Sequence, residues 1–173
     1  MAETISASDA IELMNPALRA CYSQVSEFMT GVNQNNITAR HKTGDAVADV
    51  LNSDDPEKYG KKAAATLATA LDIPKQELYR CKVFAETYTA GQVGKLVKRK
   101  TTAGRRITWS HLDALIRIPK AETRDALLER DFKEDLNTRA LHNLIKQKLG
   151  KRGNGKGRPK AAPKTLEGAI AVL

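Results

Sequence analysis

Residues 67–84 read LATALDIPKQELYRCKVF, and the fold follows from how this stretch is punctuated. Leu67 and Leu71 are i,i+4 neighbours on one helical face, and Leu78 and Cys81 are i,i+3 neighbours on another. Between them Asp72 takes a tight turn and Pro74 sits at a helix start, where its missing N–H is not needed. Ala68 is small enough for close packing. Two short helices joined by a few residues form the helix-turn-helix pattern, whose second helix can lie in the major groove of DNA. That second helix would display Lys75, Gln76, Tyr79, Arg80 and Lys82 on its outer side, residue types that reach phosphates and base edges. A polar-faced helical hairpin with no nucleic-acid role has the same local pattern, so the rest of the chain has to decide.

Charge favours the first reading. Residues 1–60 hold four Lys/Arg against nine Asp/Glu, whereas residues 61–173 hold 25 against 11, within a net charge of +9. The positive charge begins where the helical pair begins. Such a half-molecule attracts polyanions and would release counterions from nucleic acid on binding. Acidic proteins and anionic membranes meet the same charge criterion.

The chain of 173 residues suits one ordinary domain plus a tail, and only 5% of it is aromatic, which predicts a core of helix on helix. A first helix is expected from Ser8 and Asp9 to about Gly31, with Asn15 and Pro16 as the alternative start; a second runs from Ile37 to Leu51. Trp109 opens a later helix as a core anchor, Pro119 another through about Arg130, and Asn137–Thr138 a last one to Leu149. Cys21 and Cys81 are too few and too far apart for a metal site, and Cys81 reads as a buried thiol. His111 has no nucleophile placed beside it and reads as a hydrogen-bonded structural histidine. Neither a phosphate loop nor metal-ligand spacing is present, so no enzyme and no cofactor are expected. Glu3 and Asp9 stand where a signal peptide would need basic and apolar residues, and no apolar run is long enough to span a bilayer. A cytoplasmic location is expected, nucleoid-associated if the source is bacterial.

Residues 95–106, KLVKRKTTAGRR, carry six positive charges and no negative one. They read either as a solvated loop or as a short β-hairpin wing turning at residues 101–104. The wing is favoured because it closely follows the candidate recognition helix, and it would aim Lys98, Arg99, Lys100, Arg105 and Arg106 at phosphates. Residues 151–164, KRGNGKGRPKAAPK, hold six basic residues, two prolines and no acid, and are expected to be disordered. Their centre resembles an AT-hook, with Lys156 where that family usually has arginine. The resemblance implies that Lys156, Arg158 and Lys160 follow the minor groove of A·T-rich DNA.

Several local motifs together carry a further resemblance: Tyr59-Gly60-Lys61 leading into a helix, Phe84 with Tyr88, Thr108-Trp109-Ser110-His111, Arg124, and Thr138-Arg139-Ala140-Leu141. Over residues 37–149 these resemble the N-terminal helical domain of YhcG-like proteins, a DNA-recognition module that usually precedes a PD-(D/E)xK nuclease domain. The resemblance implies binding, with cleavage left to a separate nuclease partner. A looser likeness is to the helix-turn-helix domains of ParB-type partition and repressor proteins.

The expected organisation is therefore an all-α chain. Residues 1–36 form an N-terminal helix for dimer or partner contact, residues 37–150 a helix-turn-helix domain with its optional wing, and residues 151–173 a basic tail with a short apolar end. The expected function is non-catalytic binding of double-stranded DNA, as a transcription regulator or recognition module. The alternatives are a helical adaptor that binds protein or RNA, and the recognition component of a separately encoded nuclease.

Overall fold

The computed structural model describes residues 5–29, 36–53, 56–60 and 62–149. These residues are all-α: α1 (Ala7–Glu12), α2 (Pro16–Met29), α3 (Ile37–Asn52), α4 (Pro56–Tyr59), α5 (Ala63–Ala70), α6 (Lys75–Thr87), α7 (Ala90–Lys98), α8 (Trp109–Leu115), α9 (Ala121–Glu134) and α10 (Thr138–Leu149). The only β feature among them is a single antiparallel bridge, Lys100 to Arg106. None of these helices is long and apolar enough to cross a membrane.

Local chemistry accounts for most of the boundaries. Ser6 and Asp9 form a reciprocal capping box that starts α1. The Asn15 side chain accepts from the Leu18 N–H at 2.9 Å, so the chain restarts at Pro16 and the expected first helix is two helices. Asn36 caps α3 by accepting from Ala39, and Asn137 caps α10 by accepting from Ala140. Thr89 and Gln92 form a second capping box and launch α7. That helix was not expected: residues 95–98, read as the start of an extended arm, are its last turn.

Two apolar clusters fill the interior. One gathers Leu18, Cys21, Val25, Val47, Leu67 and Leu78, so α1 and α2 build their core jointly with α3, α5 and α6. The other gathers Phe84, Leu96, Trp109, Leu112, Leu127 and Leu141 from the later helices. Helix α6 belongs to both, placing Leu78 in the first and Phe84 in the second. The Phe84 ring is fully buried and meets His41, Tyr88 and Trp109 at centroid distances of 5.7, 5.5 and 5.3 Å, within the range of favourable aromatic contacts. Buried His41 donates from Nε2 to the Tyr88 carbonyl at 2.6 Å, which pins α3 to the C-terminal end of α6.

Helices α3 and α6 cross so closely that Gly44 faces the backbone of Cys81. At that crossing the Cys81 thiol is 1% exposed, and burial pushes its pKa up to about 11. Burial does the same to Cys21, whose Sγ donates to the Ala46 carbonyl. Neither thiol has the lowered pKa of a reactive cysteine.

Candidate nucleic-acid interface

The helical pair of residues 63–87 turns where the sequence puts it. Asp72 adopts φ 52° in the turn, and the Ile73 N–H reaches back to the Ala68 carbonyl at 3.1 Å, a C-terminal closure of α5. Pro74 precedes α6 in an extended conformation and provides no side-chain cap, so the first N–H groups of α6 point outward from its N-terminus. Glu77 in the first turn complements the helix dipole there.

The periodicity of α6 divides it cleanly. Leu78, Cys81 and Phe84 are buried, while Lys75, Gln76, Tyr79, Arg80, Val83 and Glu86 are exposed. Lys82 lies on the flank, with its side chain 17% exposed and paired to Glu86 at 3.1 Å. Lys75 Nζ sits 5.6 Å from the centroid of the Tyr79 ring, at the outer limit of a cation–π contact. Arg80 stands at the opposite flank, 3.5 Å from Glu77 and 3.6 Å from Asp113. Asp113 also holds Arg117 at 2.5 Å, and Glu77 pairs inward with Arg40, whose guanidinium lies 4.6 Å from the Trp109 ring centroid. The result is an alternating ladder of charge, Arg40–Glu77–Arg80–Asp113–Arg117, that starts on α3, crosses α6 and ends just after α8, with Arg80 at its centre and Arg117 at its end exposed. Each carboxylate in it lies between two guanidinium groups, which offsets part of the cost of removing it from water.

The basic segment after α7 does turn back on itself. The Thr101 N–H donates to the Arg105 carbonyl at 2.8 Å, and Gly104 supplies φ 79° at the tip. Its two arms are held by one bridge rather than by strands, and it is fastened to α9. The Thr102 N–H donates to the Phe132 carbonyl at 3.1 Å and its hydroxyl to the Lys133 carbonyl at 3.0 Å. Arg99 grips the Glu129 carboxylate with two nitrogens, one at 2.6 Å, and lies 4.1 Å over the Phe132 ring. Arg105 places Nε and Nη2 on Asp135, the closest contacts being 2.6 Å. Lys98, Lys100 and Arg106 are exposed and make no ion pair with a described residue. The hairpin makes no hydrogen bond or ion pair to α6 among the described residues.

This docking carries a pH dependence. Hydrogen bonds from Arg105 and then Thr101 hold the Asp135 carboxyl below the usual aspartate range, and Arg99 does the same to Glu129. A lowered folded-state pKa means stabilisation that is complete above the ordinary values, about 4, and is lost as pH falls through the lowered ones. The Thr102 amide should therefore lose hydrogen-exchange protection below about pH 4, ahead of global unfolding. Protection that persists until the whole chain unfolds would contradict this.

His111 is satisfied within the fold: Nε2 donates to the Leu136 carbonyl at 3.1 Å, and Nδ1 accepts from the Thr108 hydroxyl at 2.7 Å. No group of three or more His, Cys, Asp or Glu among the described residues is arranged to hold a metal ion.

Lys75, Gln76 and Tyr79 thus share one exposed stripe, with Arg80 and Lys82 at its two edges. Lys98, Lys100 and Arg106 stand on a separate element, and Arg99 and Arg105 are occupied by α9. Lys156, Arg158 and Lys160 lie outside the described residues. Two residues of interest escaped the sequence reading. Val83 continues the exposed stripe at i+4 from Tyr79, a spacing that was visible. Arg117 reaches the site only through Asp113, which no local pattern reveals. Comparison with protein-family models, with curated proteins and with solved structures finds no match for this chain.

Proposed function

We propose that this protein binds double-stranded DNA without catalysing a reaction on it, using α5, the turn at residues 71–74 and α6 as a helix-turn-helix. The observation that carries the reading is the division of α6. Its inner face is anchored in both apolar clusters through Leu78 and Phe84, while its outer face offers Lys75, Gln76 and Tyr79 to solvent. A helix held this firmly can present side chains to base edges without paying much ordering entropy at the moment of binding.

In this reading Lys75, Gln76 and Tyr79 enter the major groove. Arg80 meets the flanking phosphates, as its ion pairs at 3.5 and 3.6 Å are long enough to exchange for a phosphate, and Arg117 stays on Asp113 and adds positive charge beside it. Lys98, Lys100 and Arg106 add backbone contacts from the hairpin, and the tail follows the minor groove with Lys156, Arg158 and Lys160. Arg99 and Arg105 serve to hold the hairpin and reach DNA only if they leave Glu129 and Asp135. The likeness to YhcG-like and ParB-type domains supports a role as a regulator or as the recognition part of a larger system.

The competing reading is an adaptor whose basic face meets RNA or an acidic protein. Titration of a labelled duplex with the full chain, repeated with excess RNA, separates the two. Salt-sensitive duplex binding that survives the competitor supports the proposal; complete displacement by RNA supports the adaptor.

A further inference from the structure

Tyr79 and Val83 interrupt the polar outer face of α6 with apolar surface. They are 40% and 39% exposed, one turn apart, and no described helix covers them. Gln76, Tyr79 and Val83 follow i, i+3 and i+7, a single line along the helix. From Lys75 to Val83 the helix rises about 12 Å, and its diameter of about 10–12 Å fits the roughly 12 Å width of the major groove. Glu86, on the same face one turn later, presents a carboxylate to any approaching phosphate and limits contact to the turns before it.

Building on the DNA-binding reading, we propose that Tyr79 and Val83 are specificity determinants that read thymine through its C5-methyl group, so that the preferred site contains A·T pairs in the major groove. A valine can neither donate nor accept a hydrogen bond. Against guanine or cytosine it would leave a polar base edge unpaired, whereas against thymine it meets a methyl group. Gln76, on the same line, has the amide geometry that pairs with the N6 and N7 edge of adenine. A line that joins an adenine-matching amide to a methyl-matching side chain is complementary to adenine and thymine in neighbouring base pairs.

The test uses two duplexes of the same alternating A·T sequence, one with thymine and one with uracil in its place. Uracil lacks only the major-groove methyl group. Contacts of the basic tail to phosphates or to the minor groove do not sense that methyl directly. By fluorescence anisotropy, the full chain should bind the uracil duplex about fourfold more weakly, the scale of burying one methyl-sized group. Val83→Ala should lose part of that factor on the thymine duplex, so that its preference for thymine over uracil shrinks while Tyr79 keeps the remainder. Partial exposure of Val83 spares the core, and an unchanged circular-dichroism spectrum checks this. Equal affinity of the unmodified chain for both duplexes would overturn the methyl inference while leaving DNA binding intact. A Val83→Ala chain that prefers thymine as strongly as the unmodified chain would take Val83 out of the methyl contact and overturn the assignment. Absence of binding to either duplex at low salt would overturn the DNA-binding reading itself.

Discussion

Replacing Gly44 with alanine should cost about 3 kcal/mol of folding stability, at the upper end of what overpacking does. The reason is local and geometric. A Cβ at position 44 would stand 2.6 Å from the carbonyl carbon of Cys81, closer still to its oxygen, and 2.8 Å from the Ala85 Cβ. Two of these three are backbone atoms of α6, which cannot rotate aside as a side chain can, so the α3–α6 crossing has to open. Opening it disturbs Leu78 on one side and Phe84 on the other, because α6 belongs to both clusters. The prediction has a built-in sign test. In an open helix, alanine is about 1 kcal/mol more favourable than glycine. Urea unfolding that shows a loss supports the crossing, and a gain would mean that α3 and α6 do not touch at Gly44.

The second large effect concerns the outer face of the same helix. Truncating Lys75, Gln76 and Tyr79 to alanine together should lower affinity for a specific duplex by at least about a hundredfold, given about 1–3 kcal/mol for each good base contact. Arg80→Ala alone should weaken binding about equally across sequences and reduce the salt slope by about 1, as the loss of one phosphate contact does. Its partners Glu77 and Asp113 sit at 3.5 and 3.6 Å, long enough for the guanidinium to turn to DNA at small cost. All four side chains are exposed, so the folded state should persist and the loss should appear in binding alone. A triple variant that binds as tightly as the original chain would remove α6 from the interface.

The same contrast between inner and outer faces explains how much of this protein could be read from its residues. The two consecutive helices over residues 67–84, the turn at Asp72, the restart at Pro16 and the span of α10 all rest on local signals: spacing, caps and prolines. Helix α7 is equally local, announced by the Thr89 and Gln92 capping box, although the dense positive charge of residues 95–106 has the pattern of a solvated arm. What no local pattern could reveal is pairing between distant residues. Arg99 and Arg105 look free in a basic run, yet each meets a carboxylate 30 residues away on or just after α9. The role of Gly44 is hidden for the same reason, since its partner Cys81 lies on another helix. In the candidate site, the polar residues of α6 were legible by type. Val83 was not, because an apolar residue on a helix is ordinarily assigned to the core.

The central claim is that recognition resides in the helical body, with the basic tail as an accessory. The most direct measurement is a fluorescence-anisotropy titration of labelled duplex DNA at two salt concentrations, comparing the full chain with a version that ends at Gly150. The account predicts that both bind and that salt weakens both, with the shorter chain showing the smaller salt slope because it lacks the tail's phosphate contacts. If only the full chain binds, the tail is the polyanion handle, and the α5–α6 pair is a structural hairpin with a polar face.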